Sequence, residues 1–314
     1  MFQKKHKEES EMVLIRSTLI LLFFSFFQSI HAHFPEDTVY PIFQFPEDKI
    51  PKMDGDFSDW DIFPQNYVID NTPHAEVHRD SADHNKSDLN IYKIAVGWSD
   101  KTNRLYFFAE VYDDVWRFKH PNTDSLDTQH SRLTGAHVHG SDIWEIVVDA
   151  DHAGDKVINF SEETDAELRF RSAYTQNYHL YIPPLNGHYW HWLWGKSLWT
   201  KNEEFSGMGW SGNKERQFKN LWTGGKISHL DAGRIKYECY LTPFDDLHPN
   251  GITESITHDL KENAIIGLSW GFIDADMLDD TYDAFWSFNK QGKIYCDGKF
   301  LADFRLMPID QAIK

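Results

Sequence analysis

The sequence predicts an all-β protein, an antiparallel two-sheet β-sandwich that carries a tryptophan-rich insertion. Short segments in which apolar and polar residues alternate follow one another along most of the chain, with turn-forming residues between them. No long segment shows the 3.6-residue period of an amphipathic helix. Because successive strands without intervening helices pair most readily as two packed sheets, these observations favour a sandwich.

A hairpin and a third strand give the clearest β signals. Residues 91–98 and 105–112 alternate in polarity on either side of a turn at 100–104, which predicts an antiparallel pair. Residues 142–149 read Asp-Ile-Trp-Glu-Ile-Val-Val-Asp, and the two-residue period of a strand places Glu145 on the face opposite Trp144. Further strands are expected at 167–171, 178–182, 234–241, 265–273, 284–288 and 301–306.

A tight turn is predicted at residues 53–60, which read Met-Asp-Gly-Asp-Phe-Ser-Asp-Trp. Gly55 permits the positive φ that such turns require. Trp60 supplies a large apolar group that can anchor the turn to a core. We interpret the segment as part of an extracellular binding domain rather than as a catalytic motif.

The first 32 residues have the organisation of a secretory signal peptide. Basic residues precede an apolar run at 19–27, and Ala32 offers a small residue at the expected cleavage point. The run is too short to span a bilayer, and no later segment is long and apolar enough to do so. We therefore expect residues 33–314 to form one exported domain, secreted or periplasmic, without a transmembrane segment.

The chain is acidic, with a formal net charge of −18 at pH 7. Such a surface repels nucleic acid and anionic membranes, whereas neutral ligands and cations are compatible with it. Cys239 and Cys296 are the two cysteines, and in an oxidising compartment they could form a disulfide or remain buried thiols. Composition leaves the oligomeric state open.

Residues from about 183 to 225 interrupt the strand pattern and contain half of the chain's twelve tryptophans. Because so many aromatic residues are atypical of disordered segments, we expect this insertion to pack on the sandwich. Trp190, Trp192 and Trp194 alternate with other residues, so in a strand they would share one face. Such a stripe could stack on a ligand, or it could seal the insertion to the sandwich.

Four segments together resemble carbohydrate-binding module family 9. They are residues 53–60, residues 105–114, the strand at 142–149, and residues 266–276 with Trp286 beyond them. Their order and spacing span nearly all of the chain after residue 45. The resemblance implies a β-sandwich that grips the end of a sugar chain and is frequently calcium-bound.

The resemblance also implies positions for the sugar site. By position, Glu145 matches the family's acceptor from sugar hydroxyls and Arg169 its donor to them. The family's stacking tryptophan falls near His139, and its late polar pair falls on Ser269 and Gly271. The alternative for Glu145 and Arg169 is a salt bridge that holds two strands together.

Calcium is the cofactor that the acidic segments allow. Asp149, Asp151 and Asp155 follow a predicted strand and surround a glycine, and carboxylate oxygens of this kind suit Ca²⁺. The alternative is a solvated acidic turn. Two further pairs of acids are candidates for the same role, Asp113 with Asp114 and Asp274 with Asp276.

The function that the sequence favours is non-catalytic binding of a neutral oligo- or polysaccharide, in the service of carbohydrate catabolism. One alternative is haem binding between the sheets, with Met53, Met208 or Met277 and histidines as axial ligands. Another is glycoside hydrolysis, for which Glu145 with Asp274, or Asp274 with Asp276, would have to flank a scissile bond.

Overall fold

The computed structural model describes residues 34–78, 88–117, 142–155, 173–181, 190–193, 220–222, 230–247, 254–276 and 282–309. These residues form strands joined by turns and short 3-10 turns. The strands are β1 (Val39–Gln44), β2 (His74–Glu76), β3 (Leu89–Ser99), β4 (Arg104–Asp113), β5 (Ile143–Asp149), β6 (Gln176–Tyr181), β7 (Trp190–Leu193), β8 (Asn220–Trp222), β9 (Gly233–Leu241), β10 (Phe244–Asp246), β11 (Ile256–Thr257), β12 (Ile265–Asp274), β13 (Ala284–Phe288) and β14 (Ala302–Leu306).

Two sheets face each other. The first sheet has the order β7-β6-β5-β12-β14, with β13 and β2 attached beside β12, and the second has the order β3-β4-β9-β8. Strand β1 joins them, because it pairs in parallel with β14 on one side and with β3 on the other. The prediction of an all-β sandwich is confirmed. The sheets are not purely antiparallel, however, because both pairings of β1 are parallel.

The main core lies between the two sheets, and Trp144 of β5 connects them. Its ring stacks on Phe272 of the same sheet at 5.8 Å between centroids. Across the core it meets Tyr237 edge-on at 4.9 Å and Phe107 at 6.1 Å. Trp144 is fully buried, and burial of such large aromatic surfaces from both sheets is the main force that holds the layers together.

A second, smaller aromatic cluster covers the outer face of the second sheet. Trp60 is 1% exposed and packs against Phe45 and Phe108, with ring centroids 5.5 and 5.4 Å away. Gly55 has a φ of 83°, so the predicted tight turn forms with glycine in the left-handed region. Gly97 of β3 lets Phe45 lie directly on the sheet, since a Cβ there would come 2.1 Å from the ring.

Most predicted strands are confirmed within a residue or two of their expected ends. The predicted strand at 167–171 and the signal segment at 1–32 lie outside the described residues. Cys239 and Cys296 are free thiols. Cys239 is buried in β9, and Cys296 is partly exposed in a turn. Among the residues described, no helix has the length and apolar character needed to cross a bilayer.

Candidate functional site

Glu145 lies in the middle of the outer face of the first sheet. Its strand, β5, runs between β6 and β12, and Glu145 pairs with His179 on one side and Gly271 on the other. Trp144 and Ile146 on either side of it belong to the core, so the two-residue period turns Glu145 outward. The side chain is nevertheless only 3% exposed. A buried carboxylate needs hydrogen-bond partners, and its neighbours therefore matter.

Strand β6 supplies two polar neighbours to this carboxylate. Asn177 Nδ2 donates a hydrogen bond to Glu145 Oε1 at 2.7 Å. His179 Nε2 lies 3.7 Å from the same oxygen, just outside hydrogen-bonding distance. Both residues are fully buried, so the carboxylate is fixed in position by side chains that are themselves held in place.

Two tyrosines lie close to Glu145 and are partly exposed. Burial raises the pKa of Tyr282, and the negative charge of Glu145 raises it further. Burial also raises the pKa of Tyr295, with Cys296 and Glu145 as the further causes. The ring of Tyr282 lies against His78, 4.4 Å between centroids. The charge of Glu145 therefore acts on two partly exposed tyrosines.

The late strand β12 lies beside Glu145 on the same face. A Cβ on Gly271 would lie 2.4 Å from the ring of Phe285, so glycine is what allows that ring to cover the strand. Ser269 pairs with Val147, two positions along the strands from Glu145, and is 1% exposed. The structure therefore brings Ser269 and Gly271 to the predicted surface around Glu145.

The tryptophan-rich insertion adds a strand to this sheet. In β7, Trp192 pairs with His179 and Trp190 pairs with Tyr181. Trp192 is thus at the same register level as Glu145, two strands away or about 10 Å in a sheet. Trp194, Arg169 and His139 lie outside the described residues, and their predicted roles stay predictions.

In the turn after β5, acidic residues accept hydrogen bonds that fix the conformation of the turn. Asp149 Oδ2 accepts a hydrogen bond from the backbone N–H of Gly154 at 2.7 Å. Burial, and then a hydrogen bond with Asp149, raises the pKa of Asp151 to about 6. The carbonyl of Asp155 accepts from Thr175 Oγ1 at 2.9 Å. Among the described residues, the groups of acids close enough to share an ion do not include these three, so the metal site predicted here stays a prediction.

A denser carboxylate cluster lies at the other end of β5. One oxygen from each of Asp113, Asp142 and Asp274 lies within 4.8 Å of the others, and all three residues are buried. Burial raises the pKa of each well above its usual range, and neighbouring aspartates raise it further. Asp276 and Asp88 extend the cluster toward the surface, where they form a further group with Asp274.

The geometry bears on one of the two carboxylate pairs considered for hydrolysis, Glu145 with Asp274. Asp274 follows the inward-facing positions of Trp270 and Phe272 on β12, whereas Glu145 faces outward. Groups on opposite faces of one sheet cannot flank the same bond, so pairing Glu145 with Asp274 was wrong. Met53, offered as an axial haem ligand, packs against the outer aromatic cluster and not between the sheets.

Sequence reasoning missed Asn177, His179, Tyr282 and Tyr295. The first two were within a predicted strand, but their approach to Glu145 depends on the register between β5 and β6, which the sequence does not specify. The tyrosines reach the site from either side of β13, in segments that have no regular pattern.

No protein-family model and no curated protein matches the chain. Two solved structures of a carbohydrate binding module family 9 from Caldicellulosiruptor kristjanssonii are similar to it. The complex with cellotriose is 15% identical, covers 87% of this chain and 96% of the module, and has a TM-score of 0.46. The complex with glucose is 13% identical, covers 87% of this chain and 98% of the module, and has a TM-score of 0.45. The likeness is one of fold.

Proposed function

We propose that the protein is exported and binds a neutral oligo- or polysaccharide without transforming it, and that Glu145 is the central acceptor of hydrogen bonds from the sugar. The observation that carries the proposal is a buried, outward-facing carboxylate to which the described residues give one hydrogen bond, from Asn177. An ionised carboxylate can accept about four hydrogen bonds. Hydroxyl groups of a sugar are donors of the required kind.

The aromatic residues near Glu145 and the acidity of the chain support a neutral sugar rather than an anionic ligand. Tyr282 and Tyr295 are partly exposed beside the carboxylate, and aromatic rings stack on the C–H faces of sugars. A charge-assisted hydrogen bond to the carboxylate is about twice as strong as a neutral one, so few contacts can select a neutral polyol. The net charge of −18 further disfavours anionic ligands.

The insertion extends this surface along the sheet. Because Trp192 is level with Glu145 in the register, β7 lies where a second sugar unit bound beside the carboxylate would reach. The predicted donor Arg169 and the position near His139 complete the proposed site. The four segments that resemble carbohydrate-binding module family 9 support the same assignment.

The experiment compares two glutamate variants in a sugar-binding titration. Calorimetry with cello- and xylo-oligosaccharides measures the affinity of the wild type, of Glu145→Gln and of Glu110→Gln. We expect Glu145→Gln to weaken binding by about 10- to 100-fold, because a charged acceptor is replaced by a neutral one while Asn177 keeps its partner. Glu110→Gln is the matched control, since Glu110 lies on the outer face of the other sheet and pairs with Arg234 at 2.9 Å.

Two results would contradict the proposal. The first is that a broad panel of neutral glycans, tested at millimolar concentration, gives no heat of binding and no change in tryptophan fluorescence. That result would show that the protein does not bind a neutral sugar. The second is that the wild type releases new reducing ends from a glycan and Glu145→Gln does not. That result would show that the protein hydrolyses its ligand rather than only binding it.

A further inference from the structure

A cleft of about 310 Å³ opens beside β1, and none of its lining residues belongs to the surface around Glu145. One side is formed by Tyr40 and Pro41 of β1, and the other by residues of the segment at 66–73 that leads into β2. A volume at the lower end of the range for ligand sites suits a small molecule rather than a polymer. The cleft is therefore a candidate for a second binding site.

Tyr40 gives the cleft a fixed aromatic side. Its ring stacks on Phe304 at 5.2 Å between centroids and meets Phe288 edge-on at 5.0 Å, so the main core supports it. Its hydroxyl donates a hydrogen bond to Asn289 Oδ1 at 2.8 Å, which holds the ring in one orientation. Because the side chain is already fixed, a ligand that contacts it does not have to order it.

The segment at 66–73 is also held in place. Ile69 exchanges two backbone hydrogen bonds with Ile94 of β3, at 2.9 and 2.7 Å. The carboxylate of Asp70 accepts a hydrogen bond from the backbone N–H of Thr72 at 2.8 Å. Both sides of the cleft are therefore formed by groups that the fold itself positions, as in a site that exists before its ligand arrives.

Tyr67 supplies a second aromatic ring to the cleft. It packs edge-on against Phe43 at 5.7 Å and against Phe63 at 6.1 Å, which anchors it to the outer aromatic cluster, and it remains partly exposed. Tyr40 and Tyr67 thus belong to different clusters, and both line the cleft. The face of an aromatic ring carries partial negative charge and attracts a cation.

The charges around the cleft favour a cation as well. Among the residues that line it, Asp70 is the one acid and none is basic. Asp70 is exposed, and the whole chain carries a formal net charge of −18. An anion would be repelled, and a neutral ligand would gain nothing from this charge. The apolar lining residues are Pro41, Val68, Ile69 and Pro73.

We propose that the cleft binds a small quaternary ammonium compound, whose positive group lies against the rings of Tyr40 and Tyr67 with Asp70 as its counter-charge. A quaternary ammonium group has no N–H donor to satisfy, so aromatic faces and apolar side chains can replace its water. A primary ammonium ion would need acceptors for three N–H groups, which a largely apolar lining does not favour. This binding function is separate from the sugar site around Glu145.

The test compares two ligands of the same shape and different charge. Calorimetry on the full chain measures the affinity for choline and for its neutral analogue, in which a carbon atom replaces the nitrogen. We expect choline to bind at least about tenfold more tightly, because the analogue lacks the charge that the rings and Asp70 attract. Glucose, added as a competitor, should not displace choline.

Backbone amide NMR of the wild type locates the bound choline. We expect choline to shift the signals of residues 66–72, which line the cleft or adjoin it. The signals of the strands around Glu145 should stay unchanged. These measurements need no variant.

Variants then assign the roles of the charge and of the ring. Asp70→Asn keeps an acceptor for Thr72 and removes the charge, so it should weaken choline binding by about 2- to 5-fold and leave the neutral analogue unaffected. Tyr67→Leu should weaken choline binding by about 2- to 10-fold, whereas Tyr67→Phe, which retains the ring, should keep the affinity. Asp48→Asn is the matched control, since the side chain of Asp48 is 79% exposed and lies outside the cleft.

Four results would overturn the proposal. Choline and its neutral analogue bind equally or not at all; glucose displaces choline; choline shifts signals around Glu145 and not those of residues 66–72; or Asp48→Asn weakens binding as much as Asp70→Asn. The first three are measured on the wild type, so a variant that fails to fold does not prevent a decision.

Discussion

The two sheets each bury one glutamate at the middle of their outer face, and the two glutamates differ in what surrounds them. Glu238 on β9 is fully buried beneath the turn at 53–60. Its Oε1 accepts from the backbone N–H of Gly55 at 2.8 Å, and its Oε2 accepts from Trp60 Nε1 at 2.9 Å. Glu145 receives one such bond from the described residues, from Asn177.

The difference separates the structural role of Glu238 from the binding role that we propose for Glu145. Both oxygens of Glu238 bond to groups of its own chain, and the turn that they hold covers it. Glu145 has partly exposed tyrosines within range of its charge, and we propose that a ligand completes its hydrogen bonds. Burial of an acid on a sheet face is therefore not by itself a sign of function. The two glutamates differ in how many hydrogen-bond acceptor positions of the carboxylate are occupied by donors of the protein itself.

The largest expected effect is on stability, from Glu238→Ala. The change leaves two donors, Gly55 N–H and Trp60 Nε1, without partners, at about 1 to 3 kcal/mol each. We expect chemical denaturation to show a loss of about 2 to 5 kcal/mol in the free energy of unfolding. Glu110→Ala on the same face is the control and should cost under about 1 kcal/mol. A Glu145→Ala variant that loses as much as Glu238→Ala would remove the distinction.

The second effect is a pH dependence that belongs to Glu238. Burial raises its pKa from 4.5 to about 7, although the bonds from Trp60 and Gly55 act in the opposite direction. Below about pH 4.5 both the folded and the unfolded states hold the proton. As pH rises toward 7 the unfolded state releases it first, so the contribution to stability is lost by up to about 3 kcal/mol.

To test this pH dependence, the free energy of unfolding of the wild type and of Glu238→Gln is measured from pH 4.5 to 7.5 at fixed Ca²⁺. The wild type should lose stability more steeply than the variant over that interval. Parallel curves would show that Glu238 titrates alike in both states.

The smallest expected effect concerns the donor to Glu145. Asn177→Ala removes the hydrogen bond that orients the carboxylate, a loss of about 0.5 to 1.5 kcal/mol, which is roughly 2- to 10-fold in sugar affinity. Calorimetric titration with the ligand bound by the wild type measures it. An affinity that is unchanged in a folded Asn177→Ala protein would mean that Asn177 has no part in orienting the acceptor.

The strands were predictable because their signals are local. Alternation located β3, β4 and β5, and the Gly55 turn with its anchor Trp60 followed from residue chemistry alone. The joining role of β1 was not predictable, because it depends on parallel pairing with strands that are distant in sequence. Local patterns carry no information about such pairings.

The candidate sites were predictable only in part, for the same reason. The resemblance to carbohydrate-binding module family 9 singled out Glu145 and Ser269, and the structure places them on neighbouring strands of one sheet. Asn177 and Tyr295 reach Glu145 through register and through irregular segments. The aspartates at 113, 142 and 274 look ordinary in the sequence, since acids at strand ends are common, and only their convergence across the two sheets distinguishes them.

The position of β1 has a consequence for how the molecule assembles. Residues 39–42 of β1 pair with residues 303–306 of β14. Because β1 is synthesised first and β14 last, this pairing cannot form until nearly the whole chain has been made. Closing a loop of this length is slow, and contacts between distant parts of a chain retard folding. During synthesis, the hairpin of β3 and β4 can form early, but the seam between the two sheets closes only when β14 has been made.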